Sequence, residues 1–155
     1  MLKNNNNSLP FPGPRPYLES ESSIFYAREK EVEGILNILQ RHKLVVISGE
    51  IGSGKTSLIN AGILPLLKNR FSGQAGKDWV VCNFRPGVSP IENFAHALSH
   101  TGALYLNEKA KTTDKKNYTS IIEYKKDLAL IDIYGNSEIN EKKNLLIVID
   151  QLEDL

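Results

Sequence analysis

Between Arg28 and Arg41 the apolar side chains Val32, Ile35, Leu36 and Leu39 fall at i, i+3, i+4 and i+7, the spacing of one apolar helix face. Three short runs break that period: LVVI at Leu44–Ile47, WVVCNF at Trp79–Phe84 and LLIVI at Leu145–Ile149. Each is β-branched and almost continuously apolar, the pattern of a strand buried on both faces of a parallel sheet. A second helical stretch runs from Lys55 to Leu67, with Gly62 and Pro65 weakening its end. Ser89, Pro90 and Glu92 predict a helix start with a hydroxyl cap, proline at the first position and a capping-box glutamate, and that helix should reach about His100. From Asn107 to Asn144 the chain turns polar and lysine-rich. One helix is expected there near Ser120–Leu130, although LALIDIY (Leu128–Tyr134) also reads as an edge strand. Strand, helix, strand, helix, strand predicts an α/β fold with a mostly parallel sheet.

Ahead of these elements the chain reads as an extended arm over residues 1–20, leaving 21–155 as the domain. Asn4–Ser8 is a polar run, and Pro10, Pro12, Pro14 and Pro16 alternate through FPGPRPY, which forbids helix. A P-x-x-P ligand needs prolines three apart, so a peptide-binding role has no support in this spacing.

The 155 residues are 41% hydrophobic and 24% charged, enough for one soluble domain. With 19 basic against 18 acidic side chains the net charge is +1, which gives no field to hold a polyanion, and no local basic patch points to nucleic acid. The single cysteine, Cys82, excludes an intrachain disulfide and a cysteine-rich zinc site; it reads as a buried small apolar residue. The longest apolar run, Leu145–Ile149, is far short of the ~20 residues that span a bilayer. A cytoplasmic protein without membrane contact is expected.

Candidate chemistry is concentrated in two places. Gly49-Glu50-Ile51-Gly52-Ser53-Gly54-Lys55-Thr56 satisfies G-x-x-x-x-G-K-[ST] between a predicted strand and a predicted helix, the context of a phosphate-binding loop. The glycines allow conformations that a Cβ opposes, so successive N–H groups can converge on phosphate oxygens, and the helix start adds its positive dipole end. Lys55 then serves the β and γ phosphates, and the Thr56 hydroxyl can ligate Mg²⁺. The bland alternative is a glycine-rich turn with an incidental lysine. The second place is Asp150, at the carboxyl end of a predicted buried strand, where it can hold Mg²⁺ through water; its alternative is a helix cap. Glu153 or Asp154 can orient an attacking water. His96 and His100 share a helix face, but no third ligand or H-E-x-x-H pattern accompanies them, so they read as surface residues.

FPGPRPY, FYARE (Phe25–Glu29), the loop, AGILPLL (Ala61–Leu67), NFRPG (Asn83–Gly87) and LLIVIDQLEDL together resemble the novel STAND NTPase domain, in order, over residues 11–98 and 145–155. The resemblance implies a P-loop NTPase three-layer fold, ATP and Mg²⁺ as cofactors, and an ATP/ADP-controlled switch coupled to effector or sensor domains or to self-association, in bacterial signalling or phage defence. It implies nucleotide contacts from Arg28, Gly49, Gly52, Ser53, Gly54, Lys55, Thr56 and Ser57, metal contacts from Thr56 and Asp150, and catalytic roles for Asp150, Glu153 and Asp154. Arg28 and Glu29 match the family's Gly-Arg-Glu motif near the adenine, with Ala27 in place of its glycine. Arg85 matches the Arg-Pro-Gly segment without an assigned role. Asp154 stands where members carry glutamate, a carboxylate one methylene shorter, so hydrolysis is expected to be slow. In this division of P-loop ATPases a later strand separates the strands of the loop and of Asp150. The chain is therefore expected to be a partial domain with an empty slot, unless LALIDIY fills it. A truncated, non-hydrolysing nucleotide-binding or interaction module is the alternative reading, and a small-molecule P-loop kinase is a weaker third for want of an arginine-rich lid.

Overall fold

The computed structural model describes residues 11–71, 78–101, 104, 115–135, 137 and 143–154. It divides into two compact units, Met1–Arg70 and Phe71–Leu155.

In the first unit the proline-rich segment is not uniformly extended. Gly13 takes a left-handed conformation (φ 80°) in a turn, and a 3-10 helix at Glu19–Ile24 follows. Pro10 and the asparagine run lie outside the described residues. Helix α1 (Glu29–Arg41) matches the predicted face, with Val32 and Leu36 buried. The helix after the loop is longer than its glycine and proline suggested: α2 (Lys55–Ser57) passes through a π-helical segment (Leu58–Ile63) into α3 (Leu64–Phe71). Pro65 has no N–H to give to Ala61, and a widened turn just before it absorbs that loss without ending the helix. Gly62 is required by packing: a Cβ there would lie 2.6 Å from Val32 Cγ2 and 3.3 Å from Phe25 Cε1. Leu58, Ala61, Ile63, Leu64 and Leu67 complete the buried set of this unit.

Leu44–Ile47 corrects the sequence reading. The run forms no strand, and Leu44 and Val46 are 79% and 77% exposed. A strand exists only through the ladder that a neighbour supplies, and no other described segment of this unit is a strand.

The second unit holds a two-stranded parallel sheet of β1 (Asp78–Phe84) and β2 (Lys143–Ile149). Its register sets Asp78 opposite Lys143 and Phe84 opposite Ile149. Between the strands the chain forms α4 (Pro90–His100), α5 (Lys115–Lys125), a 3-10 turn at Lys126–Leu128 and α6 (Ala129–Gly135). One core joins Val80 and Cys82 of β1, Ala95 and Leu98 of α4, Leu104, Tyr118 of α5 and Ile133 of α6, with Leu145 and Ile147 packed against it. The buried Tyr118 hydroxyl donates to the Leu104 carbonyl. Helix α4 begins and ends where the sequence placed it, with Pro90 in its first turn. The Ser89 side chain nevertheless makes no cap, because its backbone (φ −133°, ψ 66°) turns away from the usual cap geometry. LALIDIY is helical and therefore does not fill a slot in the sheet: Ala129 and Ile133, four apart, are both buried.

The architecture is α/β with a small parallel sheet. No helix among the described residues is long and apolar enough to cross a membrane.

Candidate functional site

In the first unit the Gly49–Thr56 segment is a closed turn leading into α2. Gly52 and Gly54 both have φ 81°, in the left-handed region where a side chain costs about 1–2 kcal/mol. At Gly49 an added Cβ would sit 2.9 Å from Ser53 Oγ, a contact that rotation of the serine hydroxyl relieves. The Ser53 amide donates to the Glu50 carbonyl at 3.2 Å, and the Leu58 amide to the Gly54 carbonyl at 2.8 Å, which starts the helix. The Lys55 ammonium donates back to the carbonyls of Gly49 (2.8 Å) and Glu50 (3.1 Å), so the loop wraps around its own lysine.

Two neighbours fix this loop from outside. The Arg28 guanidinium donates to the Ser53 carbonyl at 3.1 Å and pairs with Glu31 at 2.8 Å. The buried Ser57 hydroxyl accepts from the Tyr17 amide at 3.1 Å, and Asn60 Nδ2 reaches the Tyr17 carbonyl at 3.4 Å. The segment ahead of α1 is thus bonded to the helix that carries Thr56. Arg15 strengthens the same segment: its Nη atoms grip both carboxylate oxygens of Glu21 at 2.8 and 2.6 Å. That grip, together with the Leu18 amide, holds the Glu21 carboxyl well below its usual range, at about 2.

Ala27 takes φ 67°, so the position that resembles the family's glycine keeps a glycine-like backbone despite its methyl group, and its amide is tied to Glu29 Oε1 at 3.1 Å. Beside it lies a cavity of about 340 Å³ lined by Phe25, Arg28, Glu29, Val32, Gly62 and Leu66, among others. Its lining mixes apolar side chains such as Phe25, Val32 and Leu66 with the polar Ser22 and Ser23 and the charged Arg28, Glu29 and Glu33.

In the second unit Asp150 directly follows β2 and is 8% exposed. Its amide donates to the Phe84 carbonyl at 3.0 Å, extending the parallel ladder by one residue. Its carboxylate accepts from Arg85 Nε at 3.1 Å. Sequence reasoning missed this pair, because the signal is the strand register and not a motif. Gln151 then adopts φ 58°, a strained conformation for a side-chain-bearing residue and one that turns the chain sharply after the acid. Glu153 is exposed on the 3-10 turn Leu152–Asp154, and the Asp154 side chain lies outside the described positions.

The remaining candidates are plainer. Cys82 is buried, and burial pushes its thiol up to about 12, which makes it inert. His96 and His100 are exposed and stacked, ring centroids 4.1 Å apart, with His100 Nδ1 2.8 Å from the His96 carbonyl. No cluster of three His, Cys, Asp or Glu suited to a metal occurs among the described residues.

The donors the sequence offered for a metal, the Thr56 hydroxyl and the Asp150 carboxylate, are hard oxygens and few. Each, within its own unit, is an oxygen donor of the kind that Mg²⁺ takes alongside water and phosphate.

A family model described as Novel STAND NTPase 1 matches residues 10–155. No curated protein and no solved structure matches the chain.

Proposed function

Because the chain belongs to the novel STAND NTPase 1 family, a group of nucleotide-binding modules, we propose that it binds ATP with Mg²⁺ and works as an ATP/ADP-dependent switch. The observation that supports this most directly is the Gly49–Thr56 turn, with two left-handed glycines and a lysine at its centre.

In this reading the amides of Gly52, Ser53, Gly54, Lys55, Thr56 and Ser57 face the phosphates at the start of α2, where the helix dipole favours negative charge. Lys55 exchanges its two carbonyl partners for phosphate oxygens, a more favourable partner for an ammonium than a neutral carbonyl. Arg28 orients the loop through Ser53, and the cavity beside Phe25 and Gly62 takes the base. Thr56 in the first unit and Asp150 in the second are each candidates to hold Mg²⁺, which would neutralise charge on the phosphates. Glu153 and Asp154 are the candidates to orient water, and Asp154, with its short reach, makes turnover slow. The switch would act inside the cell on effector or sensor domains or on further copies of the chain, in signalling of the kind used in bacterial defence.

Measuring phosphate release alongside ATP retention tests the enzymatic half. Slow release that vanishes in Asp150→Ala supports a hydrolysing switch. Tight ATP retention with no release favours a non-hydrolysing nucleotide-binding module.

A further inference from the structure

The register of β1 and β2 brings together two residues 65 positions apart in sequence. Phe84 stands opposite Ile149, so Arg85 and Asp150 leave the sheet side by side. The two ends of their ion pair are unequal: the Asp150 side chain is 10% exposed and the Arg85 side chain 54%. A carboxylate so far removed from water needs a cation beside it. A half-exposed guanidinium, by contrast, can return to solvent with little loss. The contact runs through Nε, and the Nη groups of Arg85 make no hydrogen bond among the described residues. The Asp150 amide is thus held by the Phe84 carbonyl, and its carboxylate has the half-exposed Arg85 among its partners.

We propose that Arg85 is a displaceable counter-ion for Asp150: it balances the carboxylate in the absence of a divalent metal and would give way to the metal's charge. The inference rests on the reading of Asp150 as the metal-side acid given above. Arg85 is on this account a positioning residue. It sets how much metal is needed to occupy the site, because the guanidinium and a divalent cation would compete for the charge of one carboxylate. Removing the guanidinium removes one competitor, so metal sensitivity should rise while the Gly49–Thr56 loop is untouched.

The test is the Mg²⁺ concentration that gives half of the metal-dependent gain in affinity for a fluorescent ATP analogue, measured on the full chain. Arg85→Ala and Arg85→Gln should lower that concentration about three- to tenfold, as expected for loss of a partly exposed ion pair. Arg85→Lys, which restores the charge without the planar fork, should fall between them and the wild type. Affinity for the analogue without Mg²⁺ should stay within about twofold, and a circular-dichroism melt confirms that each variant is folded. An unchanged or raised half-effect concentration in both neutral variants overturns the proposal. If the wild type shows no Mg²⁺ effect, or Asp150→Ala keeps the full effect, the metal reading of Asp150 fails first and takes this inference with it.

Discussion

The Arg28 guanidinium donates to the Ser53 carbonyl at 3.1 Å, joining the start of α1 to the Gly49–Thr56 segment across 25 positions. Ser53 lies between the two left-handed glycines Gly52 and Gly54, so its peptide plane decides where the neighbouring amides point. Arg28→Ala should weaken binding of an ATP analogue about 5- to 30-fold, the value of one charge-assisted hydrogen bond of roughly 1–2 kcal/mol. Equilibrium titration checks this, and wild-type affinity in the variant removes Arg28 from the loop's support.

Ala27 pays a conformational penalty that the family's glycine would not. At φ 67° a methyl-bearing residue costs about 1–2 kcal/mol, against about 0.5–1 kcal/mol of extra chain entropy for glycine. Ala27→Gly should therefore stabilise the protein by about 0.5–1 kcal/mol, read as a higher urea midpoint with unchanged slope. A lower midpoint contradicts the strain.

Gly62 shows the opposite case, a glycine held by a neighbour. An added methyl would meet Val32 Cγ2 at 2.6 Å, so Gly62→Ala should cost about 1–3 kcal/mol. The double variant with Val32→Ala should cost less than the sum of the two single changes, since the second removes the obstacle. Strict additivity in the cycle places the cost elsewhere.

The Arg15–Glu21 pair gives an acid-side signature. The Glu21 carboxyl is lowered from 4.5 to about 2, chiefly by the Arg15 hydrogen bond and next by the Leu18 amide. A depressed folded value means its contribution to stability is present in full above about 4.5 and is lost as the pH falls toward about 2. Wild type should thus be more stable than Glu21→Gln above that window, with the gap closing inside it. Parallel melts across this range measure the gap, and a pH-independent difference contradicts the assignment. Both side chains reach solvent, so the effect should also shrink with added salt.

What the sequence made legible were the elements whose partners lie on their own period. The Val32–Leu39 face, the WVVCNF and LLIVI strands and the Pro90 helix start all stand within two residues of the reading. Leu44–Ile47 has the same β-branched composition and yet forms no strand, because pairing is a property of two segments and its own composition supplies only one. LALIDIY carries both periods. Burial of Ala129 and Ile133 at a spacing of four decided for helix, which alternation of Leu, Ile and Ile had left open. Within the candidate site, the glycines were readable from their motif. The Arg85–Asp150 pair and the Tyr17–Ser57 bond were not, since each depends on packing between segments 65 and 40 residues apart.

The central claim is that the loop from Gly49 to Thr56 binds the phosphates of a nucleotide. Titrating a fluorescent ATP analogue into the wild type and Lys55→Ala tests it most directly. The account predicts saturable binding by the wild type and a loss of at least about a hundredfold in the variant, the worth of a charge-assisted contact to phosphate. Equal affinity in the two proteins would contradict it.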